Sequence, residues 1–238
     1  MNTEMRRVES SENWYTQQQL RFDRDLVRFR YLTVEPYLQG PHGLELGSGD
    51  GSMTAYLRKK FKLLTVVEGS KHLLDQIPFG NDLVKIHSLF EEFQPDEKFN
   101  SVILEHILEH VENPVQLLID SKRHLEPGGK LFLGVPNAHS FHRLAAVKMG
   151  LLKDVFELND RDHAVGHRRV YSWSTLSADI LSAGLHIESI TGIFFKPISN
   201  GQIDKNWDEK MIHGFYLLGK DFPENAAEIS VVCKLGTD

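Results

Sequence analysis

The stretch Leu44-Glu45-Leu46-Gly47-Ser48-Gly49-Asp50-Gly51 constrains this chain more than any other. It sets three glycines at alternate positions, directly after a short apolar run and directly before a helical pattern that begins at Ser52. Glycine there lets the backbone turn tightly and brings main-chain N–H groups to a helix N-terminus, where a ligand can approach them. A strand feeding a helix through such a loop is the first half of a βαβ unit, and the chain repeats the alternation. Apolar strand candidates at 43–46, 63–67, 84–87, 101–104 and 130–135 are joined by helical segments at 52–60, 70–76 and 114–125. That order implies an α/β fold with a mostly parallel sheet and helices on both faces.

The loop departs from the dinucleotide fingerprint, which needs a third glycine where this chain has Ser52. An NAD-dependent oxidoreductase is weakened accordingly. Two positions before the first glycine stands Glu45, which would repel a pyrophosphate but suits a cationic group. Glu68 ends the next apolar run, followed by Gly69 and Ser70, where a carboxylate can accept both hydroxyls of a ribose. Together these residues describe a nucleoside ligand with a positive end. The plainer alternative is a tight turn, with Glu68 capping a helix.

Beyond residue 135 the rhythm changes. Residues 136–170 hold His139, His142, His163 and His167 with little periodicity, and read as an irregular or partly helical insertion. A helix at 172–183 and a strand at 185–191 follow, then a long excursion at 192–227 and a last strand at 228–235. Upstream, residues 1–12 read as a solvated tail, and 14–38 as a helix that Pro36 and Gly40-Pro41 bring to an end. The economical count is one domain over 1–238, with 1–40 as N-terminal tail and helix and 136–170 and 192–227 as insertions on the substrate side.

Composition narrows the function classes. The chain has 238 residues, 27 Lys+Arg against 33 Asp+Glu, and one cysteine. The net charge of −6 argues against a broad grip on nucleic acid. Cys233 alone permits no internal disulfide, and reads as a buried, inert member of the last strand. The polar N-terminus lacks a secretory signal's apolar core, and no run approaches a membrane span, so the expectation is a cytoplasmic protein with no membrane and no nucleic-acid partner.

Four segments in order and spacing, LELGSGDG, VVEGS, NSVILEHILEHVENP and LEPGGKLFLGVPN, resemble the class I S-adenosylmethionine-dependent methyltransferases over about residues 40–192. DHAVGHRRVYSWSTL and AGLHIESI resemble a small bacterial subgroup of that family. The resemblance implies a Rossmann-like seven-stranded sheet with the last strand antiparallel, and S-adenosyl-L-methionine as cofactor. Glu45, Gly47, Ser48 and Gly49 would hold its methionine part, and Glu68, Gly69 and Ser70 its ribose side. Ser88, Leu89 and Phe90 would border the adenine, and Glu105 and His106 would line the floor near the sulfonium. Trp14 and Tyr15 would form part of an N-terminal helical lid, and Trp207, His213, Phe215 and Tyr216 would wall the acceptor pocket.

Methyl transfer from a sulfonium needs alignment and a dry site, and a base only where the acceptor must lose a proton. A loop leaving the fifth strand covers the carboxyl ends of the strands, so His163, His167 and His139 are the candidate bases, in that order. Arg143, Arg161, Arg168 and Arg169 make the same insertion basic; they either bind an anionic acceptor or pair with Asp154, Glu157, Asp160 and Asp162. The acceptor reads as a small polar molecule methylated on O or N, such as a sugar, a sugar nucleotide or a small acid. Two rivals stay open. His106-Ile107-Leu108-Glu109-His110 matches the H-x-x-E-H of zinc hydrolases, which needs both histidines on one helical face, although no metal site is expected here. A non-catalytic cofactor-binding protein would share the fold.

Overall fold

The computed structural model describes residues 20–236. The expected tail at 1–12 and the Trp14 and Tyr15 lid lie outside the described residues. The first described helix, α1 (Arg21–Val34), buries Phe22, Leu26, Phe29 and Val34 along one stripe and gives way to a 3₁₀ turn at Glu35–Tyr37 that contains Pro36.

The strands are β1 (His42–Leu46), β2 (Leu63–Glu68), β3 (Leu83–His87), β4 (Phe99–Glu105), β5 (Leu125–Pro136), β6 (Leu185–Ile193) and β7 (Glu228–Leu235). They form one seven-stranded sheet in the order β3-β2-β1-β4-β5-β7-β6. Pairings from β3 to β5 are parallel, and β7 runs antiparallel to both β5 and β6. The last strand is thus the antiparallel one, inserted between its neighbours. α2 (Ser52–Leu57), α3 (Lys71–Gln76), α4 (Pro114–Arg123) and α7 (Trp173–Ser182) connect the strands. Asn113 starts α4 by accepting the Gln116 N–H, with Pro114 in the first turn.

Both faces of the sheet are buried, so the strands read as continuous apolar runs. Val102 and Leu104 of β4 join the cluster packed under α4 and α7, whereas Ile103 between them joins Val34, Met53 and Leu57 on the opposite face. Cys233 is fully buried in β7, and burial pushes its thiol up to about 12, so it stays protonated and inert.

The two insertions carry more helix than the sequence suggests. Residues 136–170 contain α5 (Phe141–Lys148) and α6 (Asp160–Ala164); residues 192–227 contain α8 (Asn200–Asn206) and α9 (Glu209–Asp221). α8 and α9 pack on α1 through Phe22, Phe29, Phe194, Ile203, Ile212 and Tyr216, a third apolar cluster at one end of the molecule. Among the described residues no helix is long and apolar enough to cross a membrane.

Candidate active site

The sheet order reverses between β1 and β4, and in open α/β sheets ligands sit in the crevice beyond the carboxyl ends at that point. Glu45 and the glycine loop leave β1 there, and Glu105 and His106 leave β4. Gly47 has φ +77°, and a Cβ on it would run into Ile107 while also meeting the Phe90 ring. Glycine is therefore required at that position on both conformational and steric grounds.

Glu68 ties the loop down. One carboxylate oxygen accepts the N–H groups of Ser48 at 3.0 Å and Gly49 at 3.1 Å, and the other accepts the N–H of Ser70 at 2.9 Å. Burial raises its pKa, and the three N–H groups oppose that rise. Ser70 caps α3 by accepting the Leu73 N–H, and the Ser88 N–H reaches the Glu68 carbonyl, so Gly69, Ser88 and the buried Leu89 gather at the same edge as Phe90.

Glu45 lies beneath the loop with one oxygen on the Thr54 hydroxyl at 2.6 Å, and burial pushes its carboxyl up to about 8. Glu105 has both carboxylate oxygens buried and without a hydrogen-bond partner, packed so closely on Gly134 that a Cβ there would not fit. Its carboxyl is pushed up to about 7 by burial, against the pull of Arg30. A buried acid with no partner costs stability unless something pairs with it. Glu105 and its neighbours Glu45 and Glu68 therefore fit a ligand with a cationic group, as a sulfonium or an amino acid ammonium provides. Of the residues expected to hold the cofactor, those of the glycine loop, the end of β2 and the segment after β3 gather at this crevice, whereas His106 lines the cavity across β4.

Across β4 lies a cavity of about 250 Å³ that includes His106, His110, His142, Arg143, His167 and Lys196 in its walls. His106 occupies the left-handed region at φ +57°, rare for a side chain of this kind. Its Nδ1 stands 3.1 Å from Glu109 and its Nε2 3.4 Å from Glu228, whose carboxylate also takes a two-pronged contact from Arg30 at 2.6 and 2.7 Å. Burial and Arg30 pull the imidazole pKa down, but Glu228 and Glu109 outweigh them and lift it to about 9. Burial likewise pushes Glu109 up, yet His106, His110 and His167 hold it at about 2.

Of the three expected bases, only His167 faces the cavity. Its Nδ1 stands 3.0 Å from Asp162, which also takes Arg143 at 3.1 Å and the Asn159 N–H at 3.0 Å. His163 is exposed on α6, and His139 is exposed with its ring edge 5.9 Å from Phe156; neither lines the cavity.

The arginines divide. Arg168 donates to the His110 carbonyl, and Arg169 to the carbonyls of Leu108 and Val111, so these two clamp the turn after β4. Arg143 holds Asp162 and the carbonyls of Val155 and Glu157, and Arg161 stands 3.8 Å from Asp23. The aromatic wall is also reassigned: Trp207 lies against Phe215 at 4.4 Å and Tyr216 stacks on Phe29 at 4.2 Å, packing α9 onto α1 rather than lining the cavity. His213 lies beside Tyr216 at 6.2 Å.

The H-x-x-E-H reading fails on geometry. Residues 106–110 form a bend and a turn, not a helix, and His106 is engaged with two glutamates. Among the described residues, Glu109, His110 and His167 bring ligand atoms within 4.8 Å of one another, the one trio that a cation could bridge.

Arg30, Glu228 and Lys196 were not singled out by the sequence, and His142 only as one of four histidines in the 136–170 insertion. A signal existed for each of the first three: a lone charge within Phe29–Tyr31, within the apolar start of β7, and within the run Phe194-Phe195-Lys196-Pro197-Ile198.

A methyltransferase-domain family model matches residues 17–190. The ubiquinone biosynthesis O-methyltransferase of Coxiella burnetii (strain RSA 331 / Henzerling II) is 27% identical over 184 residues, covering 73% of this chain and 76% of that protein. The protein of the same name from Xanthomonas euvesicatoria pv. vesicatoria (strain 85-10) is 23% identical, covering 73% and 74%. Among solved structures, the N-methyltransferase NodS from Bradyrhizobium japonicum WM9, in complex with S-adenosyl-L-homocysteine, has a TM-score of 0.61 at 13% identity, covering 97% of this chain and 99% of that one.

Proposed function

The chain belongs to the class I S-adenosylmethionine-dependent methyltransferases, and from that premise we propose that it methylates a hydroxyl oxygen of a small polar acceptor held in the His106–His167 cavity. One observation carries the reading. Glu105 and His106 are consecutive at the end of β4; the first is a buried acid with no hydrogen-bond partner and the second lines the cavity, so buried negative charge adjoins a wall rich in imidazole.

When bound, S-adenosylmethionine supplies a methyl carbon already activated by its sulfonium. Glu68 and the loop it ties down orient the nucleoside, and Glu105 adds buried negative charge to that of Glu45 and Glu68 for a cationic donor. The cavity holds the acceptor away from water and directs its oxygen across β4. Positioning of this kind accounts for several kcal/mol of a methyl-transfer barrier. His167 takes the hydroxyl proton at Nε2, because Asp162 fixes the proton of neutral imidazole on Nδ1. An oxygen acceptor is favoured over nitrogen by this dyad, and the curated relatives are named O-methyltransferases. On this reading the whole chain acts as one domain, with both insertions on the acceptor side.

Titration calorimetry with S-adenosyl-L-homocysteine tests the cofactor half, and no binding would overturn it. Transfer of labelled methyl to a panel of small hydroxyl and amine compounds tests the acceptor half. Methylation confined to amines would overturn the oxygen assignment.

A further inference from the structure

We propose that the acceptor carries a compact anionic group, a carboxylate, that docks on Lys196 in the wall of the cavity. The inference rests on the methyl-transfer reading and specifies its substrate class.

The charges of the cavity wall lead to it. Arg30 pairs with Glu228 at 2.6 Å and Arg143 with Asp162 at 3.1 Å, and Arg161 faces Asp23 at 3.8 Å. Each of these three cations has a carboxylate opposite. Lys196, which lines the same cavity, has none within ion-pair distance among the described residues; its ammonium donates to the side-chain oxygen of Asn200 at 2.9 Å. Asn200 cannot turn away, because its amide nitrogen donates to Asp23 at 2.7 Å. The ammonium is therefore held in place by one of its three N–H bonds, with two left to donate.

Two further observations point to a ligand. Burial and the nearby Arg161 lower the Lys196 pKa to about 8 and outweigh the more distant Glu228 and Asp23, the direction expected of an ammonium without a carboxylate in direct contact. His142, in the same wall, has a buried Nδ1 with no hydrogen-bond partner, and burial together with Lys196 lowers its pKa to about 2, which keeps it neutral. A carboxylate between them would compensate the ammonium with one oxygen and meet the neutral imidazole, as its N–H tautomer, with the other. One uncompensated positive charge matches a monoanion; a dianionic phosphate would leave a negative charge unpaired in a half-buried wall.

The test compares probes of one shape and different charge. Benzoate, phenyl phosphate and benzamide are titrated into the protein, with and without S-adenosyl-L-homocysteine. Benzoate is expected to bind at least about tenfold more tightly than benzamide, the effect of one charge-assisted hydrogen bond, and more tightly than phenyl phosphate. Lys196→Met should erase the preference while the affinity for S-adenosyl-L-homocysteine stays the same. Should that variant fail to fold, acetic anhydride labelling of the wild-type protein replaces it: benzoate, but not benzamide, should protect Lys196. Equal binding of benzoate and benzamide, binding of neither, or an unprotected Lys196 overturns the proposal, and tighter phenyl phosphate overturns the choice of carboxylate. The two readings fail separately: a benzoate preference without any S-adenosyl-L-homocysteine binding would leave the anion site standing and remove the methyl-transfer reading.

Discussion

Glu68 accepts the backbone N–H of Ser48 at 3.0 Å across a separation of 20 residues, so the end of β2 dictates the shape of the loop that ends β1. The same carboxylate is the one proposed to meet the ribose, which would make it both anchor and ligand contact. Glu68→Ala should therefore weaken S-adenosyl-L-homocysteine binding by about 1–3 kcal/mol, the range for hydrogen bonds to a charged acceptor. Calorimetry reads this directly, and an unchanged affinity would place the nucleoside elsewhere.

Glu105 makes a second, separable prediction. Its carboxyl is held up to about 7 by burial, so near neutral pH about half of the free protein carries a proton there. A cationic donor settling beside it favours the ionised form, and the proton is released on binding. The enthalpy of S-adenosylmethionine binding at pH 7 should then differ between phosphate and Tris buffers, whose ionisation enthalpies differ. Glu105→Gln should remove that difference, and identical enthalpies in the wild-type protein would show that Glu105 does not face the cation.

Stability should respond to pH through the same acids. Folding raises the pKa of Glu45 to about 8, of Glu105 to about 7 and of His106 to about 9. In each case the folded chain keeps a proton that the unfolded chain, with ordinary values near 4.5 and 6.5, has already released. That stabilisation is complete below the unfolded values and is lost as pH climbs through the folded ones. Between pH 6.5 and 8 the ligand-free protein should lose stability, at up to about 1.4 kcal/mol per pH unit for each such proton. Denaturant titrations across that window check it. Glu45→Gln, which keeps an acceptor for Thr54, should flatten the slope.

The division between legible and illegible features follows from the range over which each is specified. β7 spans Glu228–Leu235 as the apolar run indicates, because a strand buried on both faces writes its limits in local hydrophobicity. Gly47 and Glu68 were legible because one βαβ unit brings them together. α6 was not: its five residues are set by a capping box between Asn159 and Asp162 rather than by periodicity. Arg30 and Glu228 meet across 198 residues, a contact made only by the assembled sheet with α1 laid over it. His163 and His167 look alike in sequence; the short helix α6 exposes the first, and the turn after it, closed by the His167 N–H on the Asp162 carbonyl, brings the second inward.

The dyad of His167 and Asp162 allows the base to be told from a structural histidine. Nδ1 of His167 lies 3.0 Å from Asp162 and Nε2 4.0 Å from Glu109, so carboxylates flank the ring and steady the imidazolium formed when a proton arrives. His167→Gln should lower kcat about 10²–10⁴-fold, the usual contribution of a general base, and leave S-adenosyl-L-homocysteine affinity unchanged. Asp162→Asn keeps the packing but loses the negative charge opposite Nδ1, so kcat should fall while S-adenosyl-L-homocysteine affinity stays the same. A histidine with a merely structural role predicts otherwise: His167→Gln would lower thermal stability and cofactor affinity together, and Asp162→Asn would leave kcat unchanged.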